Sequence, residues 1–172
     1  MLSEIPLIST VRAMSKSVSE FIDEGLRRSK NIDCFDFVPS NYGVVYAALR
    51  SMPRGRFCEW GSGMGIVTGL AEILGFDAHG IEIHAQLAAA SRKLLADFGL
   101  SATIETGDYF EIRHNADVYF TYCWPGQMQR VEQHFLSITP DHARLLICHG
   151  AEDVRYKVKP RMQRRYDGRL RW

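Results

Sequence analysis

The chain has 172 residues, 46% of them hydrophobic and 24% charged, with no low-complexity stretch: enough to bury one full core, too few for two ordinary enzyme domains, and unlike a disordered chain. No apolar run approaches the roughly 18 to 20 residues that cross a bilayer, and Met1 to Pro6 lacks a basic region followed by a long apolar one, so spanning and secretion are not expected. The formal net charge of +1 divides unevenly: residues 155–172 hold eight Lys or Arg and one acid, a tail of +7 on a body of −6.

In chain order, Val11, Met14, Val18, Phe21 and Ile22 recur at spacings of three and four after the possible caps Ser9 and Thr10, which predicts an amphipathic helix ending near Arg28. Pro39 disfavours helix at Val38, and Ser40 can cap a second helix that runs to about Met52, where Pro53-Arg54-Gly55 stops it. From there strands and helices alternate. Strands are predicted at 57–60, 78–83, 102–105, 117–122 and 143–148, with helices at about 66–74, 85–98 and 127–137 between them. This alternation implies a doubly wound α/β domain, a mainly parallel sheet covered on both faces. Segments 154–159 and 168–172 read as two strands that close the sheet edge as an antiparallel hairpin. The whole of 1–172 is therefore expected to be a single domain: N-terminal helices over 1–52, a core over 56–149 and a basic hairpin over 154–172. Cys34, Cys58, Cys123 and Cys148 are far apart, with no C-x-x-C, and fit reduced thiols in a cytoplasmic protein.

Between the first core strand and its helix lies Glu59-Trp60-Gly61-Ser62-Gly63-Met64-Gly65. Glycines at a strand's carboxyl end let the backbone approach a ligand that a Cβ would block. A dinucleotide fingerprint would need glycine three places beyond Gly63, where Ile66 stands, and no Gly-Lys-Ser/Thr follows to make a phosphate loop. A tight strand-to-helix turn also needs glycine for structural reasons alone. Glu82, at the end of the second core strand and 23 residues after Glu59, is placed to accept hydrogen bonds from the vicinal hydroxyls of a ribose. Gly107-Asp108-Tyr109-Phe110 follows the third strand, where a carboxylate can accept from an exocyclic amine and a ring can cover a purine face.

The acid-x-Gly-x-Gly-x-Gly turn, Glu82, Gly107-Asp108 and the strand 117–122, taken in this order, resemble the successive motifs of class I S-adenosylmethionine-dependent methyltransferases over about residues 56–149. The resemblance implies a Rossmann-like, seven-stranded sheet and S-adenosyl-L-methionine as cofactor. It implies that Gly61, Ser62, Gly63 and Gly65 approach the methionine part with Glu59 supporting their loop, that Glu82 with Ile83 beside it holds the ribose, and that Gly107, Asp108 and Tyr109 address the adenine. Phe37-Val38-Pro39-Ser40 and Trp124-Pro125-Gly126-Gln127-Met128 are further similar to small protein-lysine methyltransferases that act on mitochondrial membrane proteins; those enzymes carry a membrane-directing apolar segment that this sequence lacks. That similarity points to Phe37, Pro39 and Tyr42 as part of a segment closing over the cofactor.

Methyl transfer needs a nucleophile aligned with the methyl group, and positioning can supply most of the rate. The catalytic residues are unassigned; the substrate-side candidates are Tyr122, Trp124 and His149, with Tyr122 also against the cofactor. The Asn/Asp-Pro-Pro-Tyr signature of amino-methylating enzymes and the Pro-Cys pair of cytosine C5 methylation are both absent, and nothing near Cys123 in sequence lowers its pKa. The six histidines show no H-E-x-x-H or other metal spacing, so no metal is expected. Three functions stay open: a methyltransferase for a small molecule or protein side chain, a non-catalytic protein binding S-adenosylmethionine or S-adenosylhomocysteine, and a nucleic-acid methyltransferase using the basic tail. That tail reads either as a solvated terminus or as a contact for phosphates or an acidic partner. The methyl acceptor and the oligomeric state are not specified by the sequence.

Overall fold

The computed structural model describes residues 1–7, 13–34, 37–150 and 153–160. Its elements are β1 (Ser3–Ile5), α1 (Lys16–Ser29), α2 (Tyr42–Ser51), β2 (Arg56–Trp60), α3 (Ile66–Ile73), β3 (Asp77–Glu82), α4 (Ala85–Asp97), β4 (Thr103–Thr106), β5 (Val118–Tyr122), a short 3-10 helix (Pro125–Gln127), α5 (Met128–Ile138), β6 (Arg144–Cys148) and β7 (Val154–Val158). The strands form one seven-stranded sheet in the order β1-β7-β6-β5-β2-β3-β4. Pairings from β6 to β4 are parallel, and those of β7 with β6 and with β1 are antiparallel.

Alternation along the strands builds two cores. Phe57, Phe120 and Leu146 face helices α1 to α4, where Phe21, Val45, Leu70 and Leu94 are fully or almost fully buried. Trp60, Tyr119, Leu145 and Ile147 face the other way and lie under Val131 and Phe135 of α5. The mainly parallel doubly wound sheet is therefore as the sequence pattern predicts. Since β2 is flanked by β3 on one side and β5 on the other, the chain winds outward in both directions from it, which opens a crevice at the carboxyl ends of these strands.

Three details differ from the sequence reading. Helix α1 begins at Lys16, with the Ser15 hydroxyl accepting from Val18 N, and the expected caps Ser9 and Thr10 lie outside the described residues. The second helix is capped by Asn41, whose side chain accepts from Val44 N, and Ser40 stands one residue too early for that bond. The edge of β7 away from β6 is taken by Ser3–Ile5, a strand the sequence reading lacked; 168–172, the expected second half of a terminal hairpin, lies outside the described residues.

The described part of the basic tail is engaged within the protein. Arg155 pairs with Asp153, Lys157 with Glu132 and Glu4, and the Lys159 ammonium donates to the Leu136 and Thr139 carbonyls at the end of α5. No helix among the described residues is long and apolar enough to cross a membrane.

Candidate functional site

Where β2 ends, the backbone reverses over Gly61 to Gly65 into α3. The amides of Gly61 and Ser62 both donate to the Ile81 carbonyl at 2.9 Å, which ties the turn to β3. Gly61 has φ +73° and open space where a Cβ would stand. Gly63 has φ +52°, and a Cβ there would lie 2.6 Å from the Phe37 ring, so the turn and the segment before α2 are in direct contact. Gly65 precedes α3 and packs toward Ser91 and Ile104, away from the cavity described below.

Two carboxyl groups meet at this turn. Glu82, 6% exposed, accepts from Gly63 N at 2.6 Å through Oε2 and from His84 N at 2.7 Å through Oε1. These bonds hold its carboxylate in one orientation and leave further lone pairs for a ligand. Glu59, 4% exposed, accepts through Oε2 from the Thr68 amide at 2.8 Å and the Thr68 hydroxyl at 2.5 Å. Burial pushes the Glu59 pKa up to about 8; the Thr68 bonds oppose the rise and the charge of Glu82 adds to it.

Around them lies a cavity of about 330 Å³. Of the sequence-predicted residues, Phe37, Tyr42, Glu59, Gly61, Ser62, Gly63, Glu82, Ile83, Tyr109, Tyr122 and Trp124 line it. Pro39, Gly65, Gly107, Asp108 and His149 do not. The Gly107 amide donates to the Glu82 carbonyl, so it supports β3 from behind. Asp108 turns its Oδ1 to accept from Phe110 N at 2.8 Å. His149 Nε2 lies 2.8 Å from Asp153 Oδ2 beyond the end of β6. Tyr109 is on the wall, but its ring stacks on Trp60 at 5.5 Å and 4° and leans on Phe110 at 4.4 Å, with burial raising its pKa to about 12. A neutral hydroxyl is what it offers at ordinary pH.

No protein-family model and no curated protein matches the sequence. Solved structures do match. A methyltransferase from Geobacter sulfurreducens superposes with a TM-score of 0.61 at 15% identity, over 87% of this chain and 92% of its own. The O-methyltransferase TomG from Streptomyces achromogenes, solved with S-adenosylmethionine, gives 0.62 at 14% identity over 78% and 66%. The S-adenosylhomocysteine-bound methyltransferase PaMTH1 from Podospora anserina gives 0.61 at 13% over 80% and 64%. The chain has a methyltransferase fold. It spans about half to two thirds of the length of several of the chains it matches.

Within this methyltransferase fold the sequence reading missed several wall residues, among them Trp60, Gln127 and His84. His84 is the N-cap of α4, its Nδ1 accepting from Leu87 N at 3.4 Å, so that the imidazole is held at the cavity by helix geometry. The only signal for it was a polar residue directly before the Ala85-Gln86-Leu87 helix start. Ser62 is 5% exposed and lines the cavity, and its buried hydroxyl has no hydrogen-bond partner among the described residues. None of the described lining residues is Lys or Arg. No cluster among the described residues could hold a metal ion.

Proposed function

We propose that this protein is an S-adenosylmethionine-dependent methyltransferase whose cofactor binds in the cavity at the carboxyl ends of β2, β3 and β5. The observation that carries this reading is the Glu82 carboxylate, buried at the end of β3 and fixed by the Gly63 and His84 amides directly beside the glycine turn. A nucleoside ligand suits the residues present. Glu82 has lone pairs left to accept from ribose hydroxyls, the open space at Gly61 admits a chain where a side chain would intrude, and the buried Ser62 hydroxyl lacks a partner among the described residues. Glu82 would hold the ribose, Ser62 and the Gly61 to Gly63 backbone the amino-acid part, and the Tyr109 hydroxyl and Ile83 the base.

The bound cofactor supplies an electrophilic methyl group on a positively charged sulfur. The chain's own part is to orient and to exclude water: Phe37, in contact with the glycine turn, covers one side, while Tyr122 and the half-exposed Trp124 border the side open to an acceptor. The lack of Lys and Arg among the described wall residues favours a neutral or cationic acceptor, from a small molecule or a protein side chain, over one that brings phosphates into the cavity. The engagement of Arg155, Lys157 and Lys159 within the protein also argues against phosphate binding by that part of the tail.

Calorimetry with S-adenosylmethionine and S-adenosylhomocysteine tests the assignment. Saturable binding is expected for both, and Glu82→Ala is expected to weaken it at least about 100-fold, the loss of two charge-assisted hydrogen bonds at about 1.5 kcal/mol or more each. Absence of binding by the wild type, or equal binding by the variant, overturns it.

A further inference from the structure

Among the described residues, the cavity wall holds two buried carboxyl groups, the His84 imidazole and no Lys or Arg. Glu82 is held by two backbone amides. Glu59 is held through one oxygen only: both of its hydrogen bonds, from the Thr68 amide and hydroxyl, go to Oε2. The described groups packed around Glu59 offer it no Lys or Arg. From α2 comes Tyr42, from its own strand Cys58, from β3 Glu82, and its register partners on β3 and β5 are Gly80 and Phe120. Burial and the Glu59 charge both push the Tyr42 and Cys58 pKa values up, so neither becomes an anion near neutral pH. Glu82 and the His84 imidazole also line the cavity, but Glu82 has both oxygens bonded to backbone amides, and Glu59 is the buried carboxyl with one oxygen left without such a bond.

We propose that Glu59 senses the charge of whatever fills the cavity: it stands as a neutral acid before a cation enters and gives its proton to solvent when one does, so that the site holds a sulfonium ligand more tightly than the corresponding thioether. This rests on the cofactor reading given above. Burial with only one oxygen hydrogen-bonded favours the neutral acid in the empty cavity, in the same direction as its raised pKa, and a positive charge in a low-dielectric cavity favours the carboxylate. Proton balance then follows the reaction. One proton leaves as the sulfonium ligand binds; once the methyl group has been transferred and the sulfur is uncharged, Glu59 recovers a proton from solvent. The product state is the one that binds less well, which favours its exchange for fresh cofactor.

The test is calorimetric titration of the whole chain with S-adenosylmethionine and, separately, S-adenosylhomocysteine, in buffers of different ionisation enthalpy, to count protons released. The amino group that both ligands carry titrates in the same region, roughly 7.7 to 8.0 for an α-amino group, so Glu59→Gln provides the baseline. In the wild type, net of that baseline, S-adenosylmethionine is expected to release more protons near neutral pH than S-adenosylhomocysteine. The affinity ratio of the two should rise by up to about tenfold per pH unit below the Glu59 pKa and level off above it. Glu59→Gln should lose this slope and bind S-adenosylmethionine about tenfold or more weakly at alkaline pH, with S-adenosylhomocysteine changed less than about threefold. Carbon-13 NMR of the Glu59 carboxyl reads the same proton directly, without a variant. Equal proton release by wild type and variant, or a carboxylate signal in the free protein at mildly acidic pH, overturns the proposal while leaving the cofactor reading intact. Failure of both ligands to bind overturns the cofactor reading instead.

Discussion

Gly63 satisfies two constraints at once: a backbone in the left-handed region at φ +52°, and a ring carbon of Phe37 where a Cβ would stand. Gly61 has the first constraint without the second. Each Gly→Ala change is expected to cost about 1–2 kcal/mol in urea denaturation from backbone strain alone. Gly63→Ala should additionally expel Phe37 and weaken S-adenosylmethionine binding well beyond the effect of Gly61→Ala, as measured by calorimetry. Glycines in this turn and the carboxyl of Glu82 were legible in the sequence because their signal is spacing along the chain. The bonds of Glu59 to Thr68 and of Glu82 to Gly63 were not, because they join residues whose nearness is made by the fold. Tyr109 illustrates the same limit: its position after β4 is visible in sequence, while its stacking on Trp60 arises from the sheet that brings β2 beside that loop.

Helix α1 packs on α3 and α4, and two glycines set how closely it lies. A Cβ at Gly25 would meet Ile66 of α3 at 2.6 Å, and one at Gly69 would meet the Phe21 ring at 2.3 Å. Phe21 is fully buried and has nowhere to move. Gly69→Ala is therefore expected to destabilise by about 1–3 kcal/mol through overpacking, despite alanine's better helix propensity, and chemical denaturation would measure it. The reverse sign, a gain of about 1 kcal/mol, would mean that α1 shifts freely on α3. Periodicity revealed α1 and the strand–helix alternation because each repeats an apolar pattern over several turns or pleats. It could not reveal β1, three exposed residues whose pairing is a matter of backbone amides meeting the edge of β7. Likewise Ser40 and Asn41 are both good caps, and only the backbone at Asn41 decides between them.

The charge of one buried acid is felt by the stability of the whole molecule. The folded-state pKa of Glu59, about 8, stands above its ordinary value of 4.5, so between these limits the folded chain keeps a proton that the unfolded chain has lost. Its contribution is fully present below about 4.5 and is lost as pH rises through about 8. Thermal midpoints of the wild type should accordingly decline across that window, and Glu59→Gln should show a shallower decline. An identical slope in both proteins would show that Glu59 is already ionised when folded. Asp117, held down to about 2 chiefly by the Arg56 amide, has the opposite dependence, its contribution being lost as pH falls from its ordinary 3.8 through about 2. The two windows do not overlap, which lets one titration separate them.

The pairing of Ser3 with Val158 joins opposite regions of the described chain. Strand β1 is translated before every other described strand, yet the edge it occupies does not exist until β7 has been made and has docked on β6. The parallel strands can assemble as the chain lengthens, whereas this outermost ribbon must wait until β7 has been made. Closing so long a loop costs only logarithmically more than closing a short one. It does mean that, of the described strands, the first to emerge is the last to find its partner.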